Sequence, residues 1–157
     1  MDKDDLIAEG QRLLSQTKFE EAAAAFGQAL AAEPDDPGLL VARGAALIAL
    51  GRHDEAFADF DRAVALDPGN ARLYYRRGMG RMAQKDFEAA VADFSKAIDL
   101  DRQYAVAFYS RGMAYDSLGR DKEAQEDLRR SWVLGQARLQ GELDSYGIIR
   151  TDLDKKG

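Results

Sequence analysis

The side chains that could carry out chemistry in this chain are few and scattered. His53 is the only histidine among 157 residues, and there is no cysteine. The chain therefore has no disulfide framework, no thiolate metal site and no cysteine nucleophile. His53 has no nucleophile or metal partner beside it, and it fills a slot held elsewhere by Phe19 and Phe87, so it reads as a packing or turn residue. No cluster of His, Asp and Glu has ligand spacing. The glycines are spread along the chain rather than gathered into a phosphate-cradling loop. Recognition is the chemistry that remains. Between Pro68 and Lys85 there is no acidic residue, yet Arg72, Arg76, Arg77 and Arg81 all fall there. Arg72 and Arg76 are one helical turn apart and flank Tyr75. A guanidinium pair beside an aromatic ring suits a carboxylate, an acidic side chain or a phosphate. An ordinary solvated face is the competing reading of the same pair.

Such residues act together only if something aligns them, and the chain's own repetition provides it. Gly10, Gly44, Gly78 and Gly112 recur every 34 residues. So do Ala22, Ala56, Ala90 and Ala124, and so do Phe26, Phe60, Phe94 and Leu128. Within one period, Pro37–Asn70, two helix-period stripes flank a glycine stop at Gly51. Leu40, Gly44 and Leu47 form the first stripe, and Ala56, Phe60, Ala63 and Leu66 the second. Neither helix can bury its stripe alone, so each pair must fold as an antiparallel hairpin and each hairpin must stack on the next. The period predicts four units over 3–36, 37–70, 71–104 and 105–138, an all-α solenoid. Mid-helix glycine costs about 1 kcal/mol against alanine. Its repetition at one register implies close helix approach, with the alanines facing it and the phenylalanines filling space between repeats. Arg43, Arg77 and Arg111 share one register and Asp59, Asp93 and Asp127 another, which predicts a ladder of ion pairs.

The glycine, alanine and phenylalanine sets closely resemble the tetratricopeptide repeat family, over roughly 3–138. The resemblance implies a right-handed superhelix whose first helices line a concave, peptide-binding groove. The pattern weakens towards the C-terminus, as expected of terminal repeats. The helix-ending prolines Pro34 and Pro68 are succeeded by Arg102 and Gln136, Leu128 and Ser131 replace Phe and Ala, and Arg81 stands where the family has a large apolar residue. Residues 139–157 are left over. Leu139, Leu143 and Tyr146 form a short stripe that predicts a capping helix over repeat four, ended by Gly147. Ile148, Ile149 and Leu153 follow in a weaker segment, and the extreme end is expected to fray. A linker to a further domain is the alternative.

A second apolar stripe on the first helices lies about 100° round from the core stripe. It comprises Ile7, Gln11 and Leu14; Val41, Ala45 and Ile48; Tyr75, Met79 and Met82; and Tyr109 and Met113. All methionines other than Met1 fall on it, and methionine suits surfaces that re-pack around varied ligands. The stripe either lines a groove or packs against the neighbouring repeat. In the groove reading, Gln11, Val41, Ile48, Arg72, Tyr75, Arg76, Met79, Met82, Tyr109 and Met113 form the peptide-binding set, with Arg72 and Arg76 orienting an acidic group. Some members of the family clamp a chaperone's C-terminal carboxylate with Lys, Asn and Arg. Gln11, Arg72 and Arg76 fall on clamp-like positions, but Ile7 and Ala42 replace the lysine and the asparagine, so a chaperone-tail receptor is not expected.

The net charge of −6 and pI near 4.9 disfavour nucleic acid and anionic membranes as partners. Met1–Asp5 lacks the basic and apolar regions of a secretory signal, and no apolar run approaches the roughly 18 residues of a membrane helix. The expectation is a cytoplasmic, non-enzymatic interaction scaffold without metal or cofactor. Its partner is a protein or peptide carrying acidic residues or a free carboxylate. Self-assembly through the groove, or through the C-terminal edge at Trp132, is the rival reading.

Overall fold

A computed structural model of the chain describes the backbone of residues 1–145 and the side chains of residues 1–142. The described residues form eight helices: α1 (Lys3–Ser15), α2 (Phe19–Ala32), α3 (Pro37–Ala49), α4 (His53–Leu66), α5 (Ala71–Ala83), α6 (Phe87–Leu100), α7 (Ala105–Ser117) and α8 (Asp121–Ser145). Each odd helix packs on the even helix that follows it, and each even helix on the next odd one, so the chain is an α-solenoid of four hairpins.

Helix starts follow local capping chemistry. In α1, Asp2 and Asp5 form a reciprocal capping box, with the Asp5 amide donating to Asp2 Oδ1 at 2.9 Å. Asp36 accepts from the Leu39 amide at 3.1 Å ahead of Pro37, and Asn70 accepts from the Arg72 amide at 3.1 Å. Inside every hairpin the turn passes through a left-handed residue at one register: Thr17 (φ 59°), Gly51 (φ 74°), Lys85 (φ 61°) and Gly119 (φ 70°). Only glycine takes this conformation without a Cβ penalty. Lys85→Gly should therefore stabilise the chain by about 1 kcal/mol, read as a raised denaturation midpoint by circular dichroism.

The repeated glycines hold the hairpins together more directly than their spacing implies. A Cβ on Gly10 would lie 2.6 Å from the Phe26 ring, on Gly44 2.9 Å from Phe60, and on Gly78 2.7 Å from Phe94. Each glycine thus leaves room for the phenylalanine of its own hairpin. The ring then continues outward: a Cβ on Gly80, in the next hairpin, would lie 3.0 Å from Phe60. Phe26, Phe60 and Phe94 are fully buried. In the fourth hairpin the smaller Leu128 fills the slot, and the approach to Gly112 relaxes to 3.1 Å.

The arginine–aspartate ladder is present and its acids are buried. Arg43 donates to both oxygens of Asp59 at 2.7 Å, and Arg111 to both oxygens of Asp127 at 2.7 and 2.8 Å. Arg77 grips Asp93 at 2.8–3.2 Å. These hydrogen bonds to carboxylates, more than any other cause, hold all three guanidiniums above their ordinary pKa. Two of the rungs also reach back one repeat. Arg77 Nη1 donates to Asp61 and Arg111 Nη1 to Ser95, both at 3.0 Å, while Arg43 faces Gly27, which has no side chain to meet it.

The C-terminal end differs from expectation. Instead of a hairpin helix ending near 138 and a separate capping helix, α8 runs unbroken through Ser145. After α2 and α4 the chain turns at Glu33-Pro34 and Asp67-Pro68. After α6, where Arg102 replaces the proline, Asp101 Oδ1 accepts from the Gln103 amide at 3.0 Å and makes the turn instead. At the matching place α8 has Gly135-Gln136, which carries neither device, so the helix continues. Leu139 of the expected capping stripe is half exposed, and the side chain of Leu143 lies outside the described residues. Tyr146, Gly147, Ile148, Ile149 and Leu153 lie outside the described residues.

Candidate peptide-binding groove

A groove of about 1630 Å³ runs along the inner wall, where the first turns of α3, α5 and α7 meet the inter-repeat turns and the extension of α8. Of the residues expected there, Gln11, Val41, Arg72, Tyr75 and Arg76 line it. Tyr75 is half-buried, its ring centroid 5.2 Å from that of Tyr104 and 5.7 Å from that of Phe94. It is a wall residue held by its neighbours, presenting one face.

The remaining members of the second stripe sit elsewhere. Ile48, late in α3, packs half-buried on the first core cluster and reaches towards Gly80 of α5. Val41 also leans on that core while lining the groove. Met79 and Met82 lie in the last turns of α5, past the groove, with Met79 43% exposed. Tyr109 and Met113 of α7 are 51% and 38% exposed, because among the described residues no further hairpin covers the register that Tyr104 covers for Tyr75. One stripe in sequence thus has several fates. Gln11, Val41 and Tyr75 line the groove, Ile48 packs on the core, Met82 is half-buried, and Met79, Tyr109 and Met113 form open apolar surface.

The basic strip divides in the same way. Arg77 and Arg81 both pair with Asp93, Arg81 at 3.0 Å, and Arg81 also lies 5.2 Å from the Phe57 ring centroid. Arg72 and Arg76 are exposed on the groove margin, and among the described residues neither has a carboxylate within 4 Å. Tyr104 stands beside them. Burial pushes its phenol above the ordinary value, and the charges of Arg72 and Arg76 oppose that rise only in part, so the hydroxyl stays protonated at neutral pH.

Sequence reasoning missed Gln103, Tyr104, Val106, Leu134, Ala137 and Arg138, which also line the groove. The first three belong to the turn and start of α7, and the proline-replacing Asp101 stop just before them was the available signal. The other three lie on the later turns of α8, near the end of the fourth repeat. His53, the first residue of α4, is half-buried, and its Nδ1 is enclosed without a hydrogen-bond partner among the described residues. Among the described residues no group of His, Asp and Glu could hold a metal ion, and no helix is long and apolar enough to cross a membrane.

Stacked two-helix units around an open inner groove define the class of helical-repeat scaffolds that bind other proteins. Models of the tetratricopeptide repeat match residues 7–71, 71–104 and 105–131, and the chain belongs to that family. No curated protein matches the chain. Among solved structures it is similar to MamA (residues 41 to the end) from Desulfovibrio magneticus RS-1, at 23% identity and a TM-score of 0.74, over 87% of this chain and 77% of that one. It is similar to the Sgt2 TPR domain from Aspergillus fumigatus at 24% identity and a TM-score of 0.68, over 76% and 81% of the two chains. It is also similar to the first TPR of Spaghetti (RPAP3), solved bound to the HSP90 peptide SRMEEVD, at 26% identity and a TM-score of 0.66, over 75% and 94%.

Proposed function

We propose that the chain binds an extended or helical segment of another protein along its inner groove, with Arg72 and Arg76 orienting an acidic group of that segment. The observation that carries this reading is the pair itself. In a chain where most arginines are matched to carboxylates, these two stand without a carboxylate partner on the margin of the groove, beside the neutral hydroxyl of Tyr104. Leaving two cations without carboxylate partners there costs little in water and provides strong donors for an incoming carboxylate. Gln11, Val41 and Tyr75 supply polar and apolar contact along the same wall. Met79, Met82, Tyr109 and Met113 extend the apolar surface beyond it for a longer segment. The mechanism is complementarity on a preformed scaffold, with no covalent step. The acidic peptide bound by the first TPR of RPAP3 supports the class of ligand. It does not support the same specificity, because Ile7 is half-buried against the core and Ala42 offers the groove no amide.

The test is fluorescence anisotropy with labelled acidic peptides, each ending in either a free carboxylate or an amide. Arg76→Glu should weaken the best of them by about tenfold or more. Binding by the wild type should fall as salt is raised, and the variant should keep its helicity and melting temperature. Equal affinity in wild type and an Arg72/Arg76 double substitution would remove the arginines from the mechanism. SRMEEVD itself should rank among the weaker binders.

A further inference from the structure

The open C-terminal face of the solenoid carries a second interaction surface. At 34-residue spacing, Leu30, Val64, Ile98 and Trp132 occupy one register of the even helices. Leu30 and Ile98 are 6% and 4% exposed because the next hairpin covers them, whereas Trp132 is 65% exposed. Leu139, two turns further along the same face of α8, is 50% exposed, and Gly135 and Gln136 lie between the two. We propose that this face pairs with the same face of a second copy of the chain, α8 lying antiparallel to α8 across a two-fold axis near Gly135.

Three observations select that occupant. The first is continuity: Trp132 extends the series of contacts by which each hairpin holds the next, so the surface is built to be covered by a helix. The second is self-complementarity. Trp132 stands three residues before Gly135 and Leu139 three after Gln136. Antiparallel pairing about that centre sets each Trp132 on the other copy's Leu139. Gly135, with nothing within 4 Å of its Cβ direction, allows the helices to approach at the crossing. The third is that the N-terminal face refuses the alternative of head-to-tail stacking. Arg12 occupies the register of Ala46, Gly80 and Ala114, where even a Cβ on Gly80 approaches Phe60 to 3.0 Å. Glu9, which pairs with Arg12, replaces the ladder arginine. The groove stays open in such a dimer, because Leu134, Ala137 and Arg138 line it from the opposite side of α8.

Trp132 is the only tryptophan, so its emission reports on this face alone. The full chain should sediment at twice its 17.3 kDa mass at high concentration and at that mass when diluted, with Trp132 emission moving to longer wavelength over the same range. Trp132→Glu and Leu139→Glu should each abolish the dimer while leaving helicity and melting unchanged. Gly135→Cys should give a disulfide-linked dimer under oxidation, and Ser117→Cys should not. Four outcomes overturn the proposal. They are a monomer with exposed tryptophan at every concentration, a monomer whose tryptophan is shielded until residues 146–157 are removed, assemblies that keep growing with concentration, and a dimer that survives both glutamate variants.

Discussion

Arg111→Met should destabilise the chain by about 3–5 kcal/mol. Asp127 is 4% exposed, and Arg111 is its only hydrogen-bond or ion-pair partner among the described residues. Removing the guanidinium leaves a carboxylate in a nearly dry site, so the cost is that of an uncompensated buried charge rather than of a surface ion pair. For a chain of this length the melting temperature should fall by roughly 10 °C. Two comparisons separate this cause from lost packing. Arg77→Met should cost distinctly less, because Asp93 keeps Arg81 at 3.0 Å. The double variant Arg111→Met, Asp127→Leu should regain most of the loss, since an apolar pair leaves no charge stranded. Chemical denaturation of the three variants measures all of this. A double variant as unstable as Arg111→Met would refute the stranded-charge explanation.

Phe94→Ala should cost about 3–5 kcal/mol, and the accompanying glycine shows why the site cannot relax. Phe94 is fully buried, packs against Tyr75, and lies where a Cβ on Gly78 would approach to 2.7 Å. Gly78→Ala alone should therefore also destabilise, by about 1–3 kcal/mol, although alanine is the better helix former, because the ring has nowhere to move. Combining the two should cost clearly less than the sum of the single changes. With the ring removed, the added methyl no longer clashes and fills part of the cavity. Strict additivity would mean that the glycine serves backbone conformation rather than the ring. The register repeats in every hairpin, so Gly44 with Phe60 should behave alike, while Gly112→Ala should be milder against the smaller Leu128.

Much of this molecule is determined by sequence alone, for a specific reason. A solenoid is built from contacts between near neighbours in the chain, so a 34-residue period carries both the hairpin and its stacking. The repeated glycine register, the arginine–aspartate ladder and the caps at Asp36 and Asn70 all follow from local spacing. What local spacing does not carry is depth. It puts Met79, Met82, Tyr109 and Met113 on the same stripe as Val41 and Tyr75. Only the stacking decides that Tyr75 is walled by Tyr104 and Phe94 while Tyr109, with no further hairpin over it among the described residues, stays open. Spacing likewise leaves open whether the ladder acids face water, whereas packing buries them and so turns weak pairs into strong constraints. The end of α8 escapes a reading by period because a helix stops only where something stops it, and Gly135-Gln136 supplies neither a proline nor an Asp turn. The tertiary structure sets Leu134, Ala137 and Arg138 of α8 into the groove wall and leaves Trp132 uncovered on the opposite face. Local chain chemistry thus determines which units form and in what order, while the relative depth of side chains, a property of the assembled stack, decides which of them meet solvent.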